Sequence, residues 1–591
     1  MRIKNFIIRQ QQLLDKNYNF SQNKFSSVII IIMLFNFILL AINGINIALD
    51  PQRFDTTAYL GIANFIDHHG GVINFLNLCI TGIYKQANQH PLFILFLTPF
   101  ASMDISFFIL AKIINALLGF ILLIALFFIG KKMYGGLTAS VAVFALLLNS
   151  IFLEWTTIVA CESLLMLLCS LSIYFVMEGF KNNKYWIYAG VFAGLAYLTK
   201  GTAILLLPGF VMASIIVYKL NILKNKFFWL FFILFTLTTS PLLIRNIIVY
   251  QNLLYNVNNH IITLGQDKID KSRYVTFDLE EGIAIWKFEK SETDSEDEIR
   301  SKSSQQKFSV KLFSLPKKII EAGGVFLDVL NISWFEKLPV RGLTRIFTFL
   351  LFLLFIIGIM REKNTGGKLY LVLTIAVFFL SLFIMPIDRY FLPLVPFMWI
   401  YISLGINSVL DFINKNFSLK YYKFNLTTYI PYIFILVLTV YAVLILTNKK
   451  LNNPLNSITY SESRLDLLNW LRINLKKNNL YTMGPNINWQ LEQGTWILPP
   501  RIAMGDLSKF RSFVKKHHVQ YIIMDSYTWD DFTNTRNFTG AKVFNKKQLA
   551  EDHFAYDPIG GMKEKKKIDG WELIYKDPIK PTDFIIYKLT Y

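Results

Sequence analysis

Apolar runs that recur along the first three quarters of the chain constrain its fold more than any other feature. A helix needs about 20 mostly apolar residues to cross a bilayer. By this measure the sequence predicts eleven spanning helices, at about residues 28–47, 105–129, 137–153, 163–177, 186–198, 203–218, 227–244, 346–360, 369–385, 391–410 and 429–447. A twelfth apolar segment, residues 91–103, is too short to cross and is predicted to lie at the interface or to re-enter.

The basic residues between these runs predict the orientation of the chain. Each loop assigned to the inside carries two or more Lys or Arg, whereas the short outside loops at residues 154–162, 200–202 and 386–389 carry one or none. Because basic residues near span ends stay in the cytoplasm, this bias predicts a cytoplasmic N-terminus and an outside C-terminus. We expect a multi-pass protein, in the plasma membrane.

The same pattern divides the chain into three parts. Residues 1–27 form a cytoplasmic segment, and residues 28–447 form a transmembrane module with a first outside loop at 48–104 and a large outside loop at 245–341. Residues 448–591 have the composition of a soluble domain, with helical apolar spacing at 465–475 and a strand-like run at 519–524. The predicted fold class is a polytopic α-helical membrane protein with a C-terminal soluble α/β domain on the non-cytoplasmic side.

The net charge of +20 does not indicate a nucleic-acid partner. The Lys and Arg residues are spread over short loops between apolar runs, and no concentrated basic surface is apparent in the sequence. The three cysteines, Cys79, Cys161 and Cys169, have neither disulfide nor metal-ligand spacing. Cys161 and Cys169 are predicted to be packing residues.

Five carboxylates on the predicted outer side need an explanation, because charges near membrane depth are costly: Asp50, Asp55, Glu154, Glu162 and Asp388. Asp55 stands at the start of a helical pattern that continues through Tyr59 and Ala63. It could cap the helix or act as a general base, and the residues alone leave both open. Asp50 precedes Pro51 and resembles a turn residue. Glu162 opens the fourth span, where the helix dipole alone favours an acid.

Four cationic or titratable residues share that side: His90, Lys200, Arg245 and Arg389. His90 could be an ordinary loop residue, a phosphate contact or a metal ligand. The other three could extend their charges to the interface, or they could bind a phosphate, which suits the fork of donors on Arg. Carboxylates and cations together predict a site for a lipid-attached phosphate, in which cations stabilise the leaving group and a carboxylate activates the acceptor.

The ordered set of these motifs resembles the GT-C superfamily of polytopic glycosyltransferases, in particular its protein O-mannosyltransferase-like and aminoarabinose-transferase-like members. The resemblance extends over roughly residues 28–400. Its motifs are Asp55 with Tyr59 and Ala63, His90-Pro91-Leu92, Glu162, Gly194-Leu195-Ala196 with Lys200, Arg245-Asn246, and Arg389-Tyr390 with Leu392-Pro393 and Pro396.

The resemblance implies a polyprenyl- or dolichyl-phosphate-linked sugar donor and transfer with inversion on the non-cytoplasmic face. It implies Asp55 as the essential acid. The lipid phosphate is then bound by the cations Lys200, Arg245, Arg389 and His90, with Tyr59, Glu162 and Asp50 in support. In the family an Asp-Glu pair is common at the first-loop motif, but Thr56 follows Asp55 here. A divalent metal ion is therefore left open, as are the sugar and the acceptor.

Two other functions share the polytopic architecture. A transporter or flippase of lipid-linked sugars needs no catalytic acid, and its polar residues would lie near mid-bilayer on broken helices. A membrane scaffold would present only the outer domain. The scarcity of charges inside the predicted spans disfavours transport.

Overall fold

The computed structural model describes sixteen helices and nine strands, in two compact units. The helical unit comprises residues 1–47, 112–240 and 315–453, and the loop unit comprises residues 48–111, 241–314 and 454–591. The residues described within them are 30–45, 54–255, 273–278, 283–288, 323–325, 329–330, 341–382, 388–416, 440, 462–477, 479–482, 490–491, 493–498, 507–525, 554–557, 561–564, 568–576 and 584–590.

Long apolar helices make up the described part of the helical unit. They are α1 (Ile30–Ile45), α5 (Ile105–Tyr134), α6 (Gly136–Leu148), α7 (Ser150–Thr157), α8 (Glu162–Gly179), α9 (Trp186–Thr199), α10 (Leu206–Tyr218), α11 (Lys226–Tyr250), α12 (Arg341–Arg361), α13 (Thr365–Leu382) and α14 (Val395–Asn416). The first residues of α5 and the last ten of α11 belong to the loop unit.

These helices confirm a polytopic helical membrane protein. Each of the first ten predicted spans overlaps at least one described helix, whereas the eleventh, at 429–447, lies outside the described residues apart from Val440. Six helical segments among the described residues are long and apolar enough to cross a membrane by themselves. The others, including α1, α6 and α9, are shorter apolar helices.

The third predicted span differs from the structure at Asn149. Helix α6 ends at Leu148, and Asn149 then adopts an extended backbone and starts α7. Its side chain accepts a hydrogen bond from the Phe152 amide at 2.8 Å and donates one to the Val329 carbonyl at 2.9 Å. Residues 137–153 are therefore two helices, because a buried Asn that caps the next helix competes with continuation of the first.

Helices α12 and α14 approach each other closely at two glycines. A Cβ atom on Gly358 of α12 would overlap the backbone of Tyr401, and one on Gly405 of α14 would overlap the backbone of Leu354. Small residues at helix crossings are typical of membrane proteins, where close backbone packing replaces much of the hydrophobic driving force.

The loop unit begins with three short helices, α2 (Phe54–His68), α3 (Gly71–Ile80) and α4 (Pro91–Leu97). Helix α4 continues as a single 3₁₀ turn over Thr98–Phe100. The apolar segment at 91–103 is thus a short helix that does not span a bilayer by itself, as its length predicts.

The loop unit also contains a seven-stranded sheet, in the order β2-β1-β4-β3-β5-β9-β8. Only the β3–β4 and β3–β5 pairs are parallel. The strands are β1 (Arg273–Asp278), β2 (Ile283–Phe288), β3 (Leu480–Thr482), β4 (Thr495–Leu498), β5 (Tyr521–Asp525), β8 (Trp571–Lys576) and β9 (Phe584–Leu589), with β6 (Phe554–Asp557) and β7 (Gly561–Glu564) in a separate hairpin.

Helices α15 (Glu462–Asn474) and α16 (Leu507–Lys516) contact two different hydrophobic cores of this sheet. On β5, Ile522 packs with α16 whereas Ile523 packs with α15. Successive strand residues point to opposite faces, so the two helices cover the two faces of the sheet. Helix α15 covers residues 465–474 of the helix predicted at 465–475 and begins three residues earlier, and β5 covers residues 521–524 of the strand predicted at 519–524.

Strands β1 and β2 come from the large loop at 245–341 and not from the C-terminal tail. Strand β1 pairs with β4 through Thr276 and Ile497, among other positions. Because residues paired in one sheet lie in one compartment, the number of membrane crossings between β2 and β3 must be even. Three of the predicted crossings in that interval coincide with α12, α13 and α14.

Candidate active site

Asp55 lies in the first turn of α2, as its sequence context predicts. The amide of Gln89 donates a hydrogen bond from Nε2 to Asp55 Oδ1 at 3.1 Å. Gln89 is buried, whereas Asp55 is partly exposed. One carboxylate oxygen is therefore held by a neutral donor at the N-terminus of a helix.

Packing between α2 and α4 brings Gln89 to Asp55. The ring of Tyr59 meets that of Phe93 edge-to-face, with centroids 5.2 Å apart. His90 caps α4 with an extended backbone, and Pro91 takes the first helical position, which its fixed φ favours. Tyr59 and His90 are both buried. Tyr59, predicted to support the site, thus contributes to the contact that sets the position of Gln89.

Arg245 is buried near the end of α11, between two aromatic rings. Its Cζ lies 5.6 Å from the ring centroid of Tyr84 and 5.6 Å from that of Tyr250. Tyr250 also stacks on Tyr255 at 4.0 Å. Two ring faces stabilise a buried guanidinium, by about 2 kcal/mol where water is excluded.

Tyr84 contributes its ring face to this cluster and not a negative charge. Burial raises the pKa of Tyr84 above its ordinary value, and this effect outweighs the opposing effect of Arg245. The phenol therefore stays protonated at neutral pH. Tyr84 therefore does not cancel the charge of Arg245.

Glu162 and Lys200 form a buried ion pair in the helical unit. Lys200 Nζ lies 2.6 Å from Glu162 Oε1, and the two side chains are 17% and 3% exposed. Glu162 is the first residue of α8, and Lys200 follows the last residue of α9. Burial by itself lowers the pKa of Lys200, but the charge of Glu162 and its hydrogen bond outweigh burial and raise the pKa. Lys200 is thus cationic.

Arg389 and Tyr390 lie beside this pair. They form a 3₁₀ turn over Asp388–Tyr390, and the ring centroid of Tyr390 is 5.5 Å from Lys200 Nζ. Arg389 lies close enough for its charge to act on Lys200. Lys200 and Arg389 thus bring two cations together in this cluster, and paired cations suit an anionic ligand.

The structure therefore distributes the predicted site over two clusters. The loop unit contains Asp55, His90 and Arg245, and the helical unit contains Glu162, Lys200 and Arg389. Asp50 lies outside the described residues. Within the described ranges, no group of three or more His, Cys, Asp or Glu residues could hold a metal ion.

The sequence-based prediction does not include three polar residues that make defined contacts in the structure: Gln89, Tyr84 and Lys112. Gln89 and Tyr84 are uncharged loop residues, and no local pattern distinguishes them. Lys112 offered a clear signal, because it is a charge inside the apolar run of α5. Its Nζ donates to the Ile45 carbonyl at 2.6 Å, at the end of α1. It therefore satisfies a carbonyl at the end of that helix.

A family model matches residues 90–244 and is described as dolichyl-phosphate-mannose-protein mannosyltransferase. This segment contains His90, Glu162 and Lys200 and ends one residue before Arg245. The match confirms the predicted resemblance to glycosyltransferases of the GT-C class and supports the predicted activity. No curated protein matches the chain.

Solved structures match most of the chain at low identity. ArnT from Cupriavidus metallidurans bound to undecaprenyl phosphate is 11% identical, covers 95% of this chain and 98% of its own, and has a TM-score of 0.48. A second match is the archaeal oligosaccharyltransferase AglB from Archaeoglobus fulgidus, in complex with an inhibitory peptide and a dolichol-phosphate. It is 12% identical, the match covers 90% of this chain and 74% of AglB, and the TM-score is 0.45. Likenesses with TM-scores below 0.5 assign no residue role to this chain.

Proposed function

We propose that this chain is a membrane glycosyltransferase that moves a sugar from a polyprenyl- or dolichyl-phosphate-linked donor to an acceptor on the non-cytoplasmic face, with inversion. The observation that carries the proposal is the match of residues 90–244 to the mannosyltransferase family model. The description of that model makes a mannosyl donor the first to test. The acceptor is a protein, a lipid or a glycan.

Asp55 is the general base of the proposed reaction. It takes the proton from the acceptor hydroxyl or amine while that atom attacks the anomeric carbon of the sugar. The new bond forms as the bond from the anomeric carbon to the phosphate oxygen breaks, and the configuration inverts. Gln89 holds Oδ1 of Asp55 by its 3.1 Å hydrogen bond and so fixes the orientation of the carboxylate that takes the proton.

The cations stabilise the departing lipid phosphate. Arg245, Lys200 and Arg389 are the candidates, with His90 in addition. Arg245 is already oriented between Tyr84 and Tyr250, and orientation before the reaction is what makes such stabilisation effective. Lys200 is paired with Glu162, so a phosphate at Lys200 must share its ammonium with that carboxylate.

The proposal places the large loop and the C-terminal sheet on the non-cytoplasmic side of the plasma membrane, with eleven spans and a cytoplasmic N-terminus. The inside Lys and Arg residues support this orientation. The sheet shared by β1 and β4 supports placing the large loop and the tail in one compartment. The tail then lies where it could recognise the acceptor.

The test is transfer by the purified full chain in liposomes that contain polyprenyl-phosphate-[³H]mannose. A serine- and threonine-containing peptide and a lipid extract of the host membrane serve as two alternative acceptors. We expect radiolabel in one of the products, with release of an equal amount of polyprenyl phosphate. Intact donor with both acceptors would argue against a mannosyltransferase. The same assay with glucosyl and aminoarabinosyl donors then tests the wider class.

The same liposomes separate the transferase from the two alternatives. A flippase would move the donor between leaflets without forming product, and a scaffold would do neither. For this measurement the donor in the outer leaflet is titrated with a membrane-impermeant periodate reagent.

We include no metal step in the proposed mechanism. Thr56 follows Asp55 where a second carboxylate would be the better metal ligand. The transfer assay with EDTA, and then with added Mg²⁺ or Mn²⁺, tests this choice. Activity that disappears with EDTA and returns with the ion would require a metal in the mechanism.

A further inference from the structure

Asn115 is a fully buried polar residue of α5. Its side-chain nitrogen Nδ2 donates two hydrogen bonds, to the carbonyl oxygens of Trp155 and Ile158, each at 2.6 Å. These carbonyls stand at the C-terminal end of α7, where the last carbonyls of a helix have no partner within the helix. One amide group of α5 therefore caps α7 from 40 and 43 positions away in the sequence.

The last turn of α7 is also packed closely between α1 and α5. A Cβ atom on Gly44 of α1 would lie 2.5 Å from Thr157, and one on Gly119 of α5 would lie 2.6 Å from Thr156. Both distances are shorter than van der Waals contact, so a larger residue at either glycine would displace a threonine. Gly119 is four residues after Asn115 and lies on the same face of α5. Helix α5 thus fixes the end of α7 by packing as well as by hydrogen bonds.

A short buried segment connects this end of α7 to the cation cluster. Ile158 has an extended backbone, and residues 159–161 are each at most 3% exposed. Glu162 then begins α8, and its carboxylate lies 2.6 Å from the ammonium of Lys200. We call residues 155–162 the α7–α8 corner. Because a closely packed interior transmits displacements, a shift at the capped end of α7 would also move Glu162.

We propose that Asn115 is a positioning residue of the donor-phosphate site and acts through the α7–α8 corner on Glu162 and Lys200. The inference rests on the proposed function, in which Lys200 stabilises the departing lipid phosphate. Asn115 does not donate to the phosphate itself, because both of its amide hydrogens go to carbonyl groups. It fixes Glu162, and Glu162 holds the ammonium of Lys200 in place before the reaction.

The first measurement is the reactivity of Cys161 with N-ethylmaleimide in the full chain, in a background of Cys79→Ala and Cys169→Ala. Cys161 precedes Glu162 and is 1% exposed, so its labelling rate reports whether the corner opens. Asn115→Ala removes both hydrogen bonds and should raise the rate about tenfold. Asn407→Ala is the matched control and should leave the rate unchanged, since the Asn407 side chain donates to Thr138 at 2.7 Å, away from the corner.

The second measurement is the binding of polyprenyl phosphate, without a sugar, to the full chain in nanodiscs. Asn115→Ala should weaken binding about tenfold, as for the loss of one contact to a charged group. In a Lys200→Met background the same change should cause little further loss, because Asn115 acts through Lys200. A residue that only stabilises the fold would have the same effect in both backgrounds.

Asn115→Ser keeps one donor and should lie between the wild type and Asn115→Ala in both measurements. It also repeats the test if Asn115→Ala does not fold. Unchanged labelling of Cys161 in these variants would overturn the proposal, and so would equal losses of binding in the two backgrounds. Wild-type protein that binds no polyprenyl phosphate would overturn the proposed function and this role with it, which distinguishes that failure from a lack of coupling alone.

Discussion

Asp55 and Gln89 are 34 positions apart in the sequence and share a 3.1 Å hydrogen bond in the structure. The same holds for Glu162 and Lys200, which are 38 positions apart and 2.6 Å from each other. The sequence predicts which charged residues need an explanation, because a charge near an apolar run is costly wherever it folds. It does not predict their partners, because a neutral Gln in a loop has no local signature and Lys200 has no acidic neighbour in the sequence.

Gln89 is uncharged, and this has a testable effect on the pH profile of the transfer rate. Gln89→Glu keeps the shape of the side chain but places a second carboxylate beside Asp55. Two carboxylates at hydrogen-bond distance raise one pKa, because they cannot both ionise easily. Asp55 must be ionised to act as a base, so the acidic limb of the transfer rate should move to higher pH.

Asn88→Asp is the control for this change, since it adds the same charge one residue away on a partly exposed side chain. The acidic limb of the pH profile of this variant should stay close to that of the wild type. Equal profiles for Gln89→Glu and the wild type would show that Gln89 does not act on the base.

The buried pair of Glu162 and Lys200 predicts a large loss of stability when one partner is removed. Glu162→Gln leaves a buried ammonium without its carboxylate, which costs about 3 to 5 kcal/mol in the free energy of unfolding. The double variant Glu162→Gln with Lys200→Met should recover most of this lost free energy of unfolding, because no buried charge is then left unpaired. Thermal unfolding of the full chain in detergent measures the stability of both variants.

Glu178→Gln is the matched control. Glu178 pairs with Lys181 at the same 2.6 Å, but that lysine side chain is 53% exposed. Exposed pairs contribute about 0 to 1 kcal/mol. If Glu162→Gln were no more destabilising than Glu178→Gln and bound the lipid phosphate more tightly, Lys200 would be primarily a phosphate ligand.

At the scale of elements, the apolar runs predict the described helices well and their interruptions poorly. The first ten predicted spans overlap α1 and the helices from α5 to α14, because length and apolarity are local properties. The break at Asn149 depends on a contact with Val329, 180 residues later. The hairpin β1–β2 was not predicted, because its pairing with β4 joins residues more than 200 positions apart.

The crossing of α12 and α14 makes a prediction at this scale. Gly358→Ala adds a methyl group that would overlap the backbone of Tyr401. Overpacking of this kind costs about 1 to 3 kcal/mol, so the unfolding temperature should fall. Ile356→Ala, on the same helix at an exposed position, should have a smaller effect. Equal unfolding temperatures for Gly358→Ala and the wild type would mean that the two helices are not in close contact.

At the scale of the whole molecule, the proposed site requires the sheet and the first outside loop to lie on the same side of the membrane. Cysteines that replace Lys85 in the first loop and Leu573 in β8 occupy exposed positions, as does one that replaces Lys184 between α8 and α9. A membrane-impermeant maleimide applied to intact cells should label positions 85 and 573. Position 184 should react only after permeabilisation, because its loop is predicted to be inside.

The reverse pattern would move the whole candidate site to the cytoplasmic face. Labelling of position 85 without position 573 would separate the C-terminal sheet from the first loop. Wild-type protein is the background control, since its three cysteines are buried.

The most direct measurement of the central claim compares the wild type with Asp55→Asn in single-turnover transfer from polyprenyl-phosphate-[³H]mannose or whichever donor the wild type uses. The asparagine keeps the size and a hydrogen-bonding group but cannot take a proton. The account predicts a rate lower by about 10² to 10⁴, as for loss of a general base. Donor binding and the unfolding temperature of Asp55→Asn should both equal those of the wild type. Wild-type transfer rates in a folded Asp55→Asn protein would contradict the assignment of Asp55 as the base.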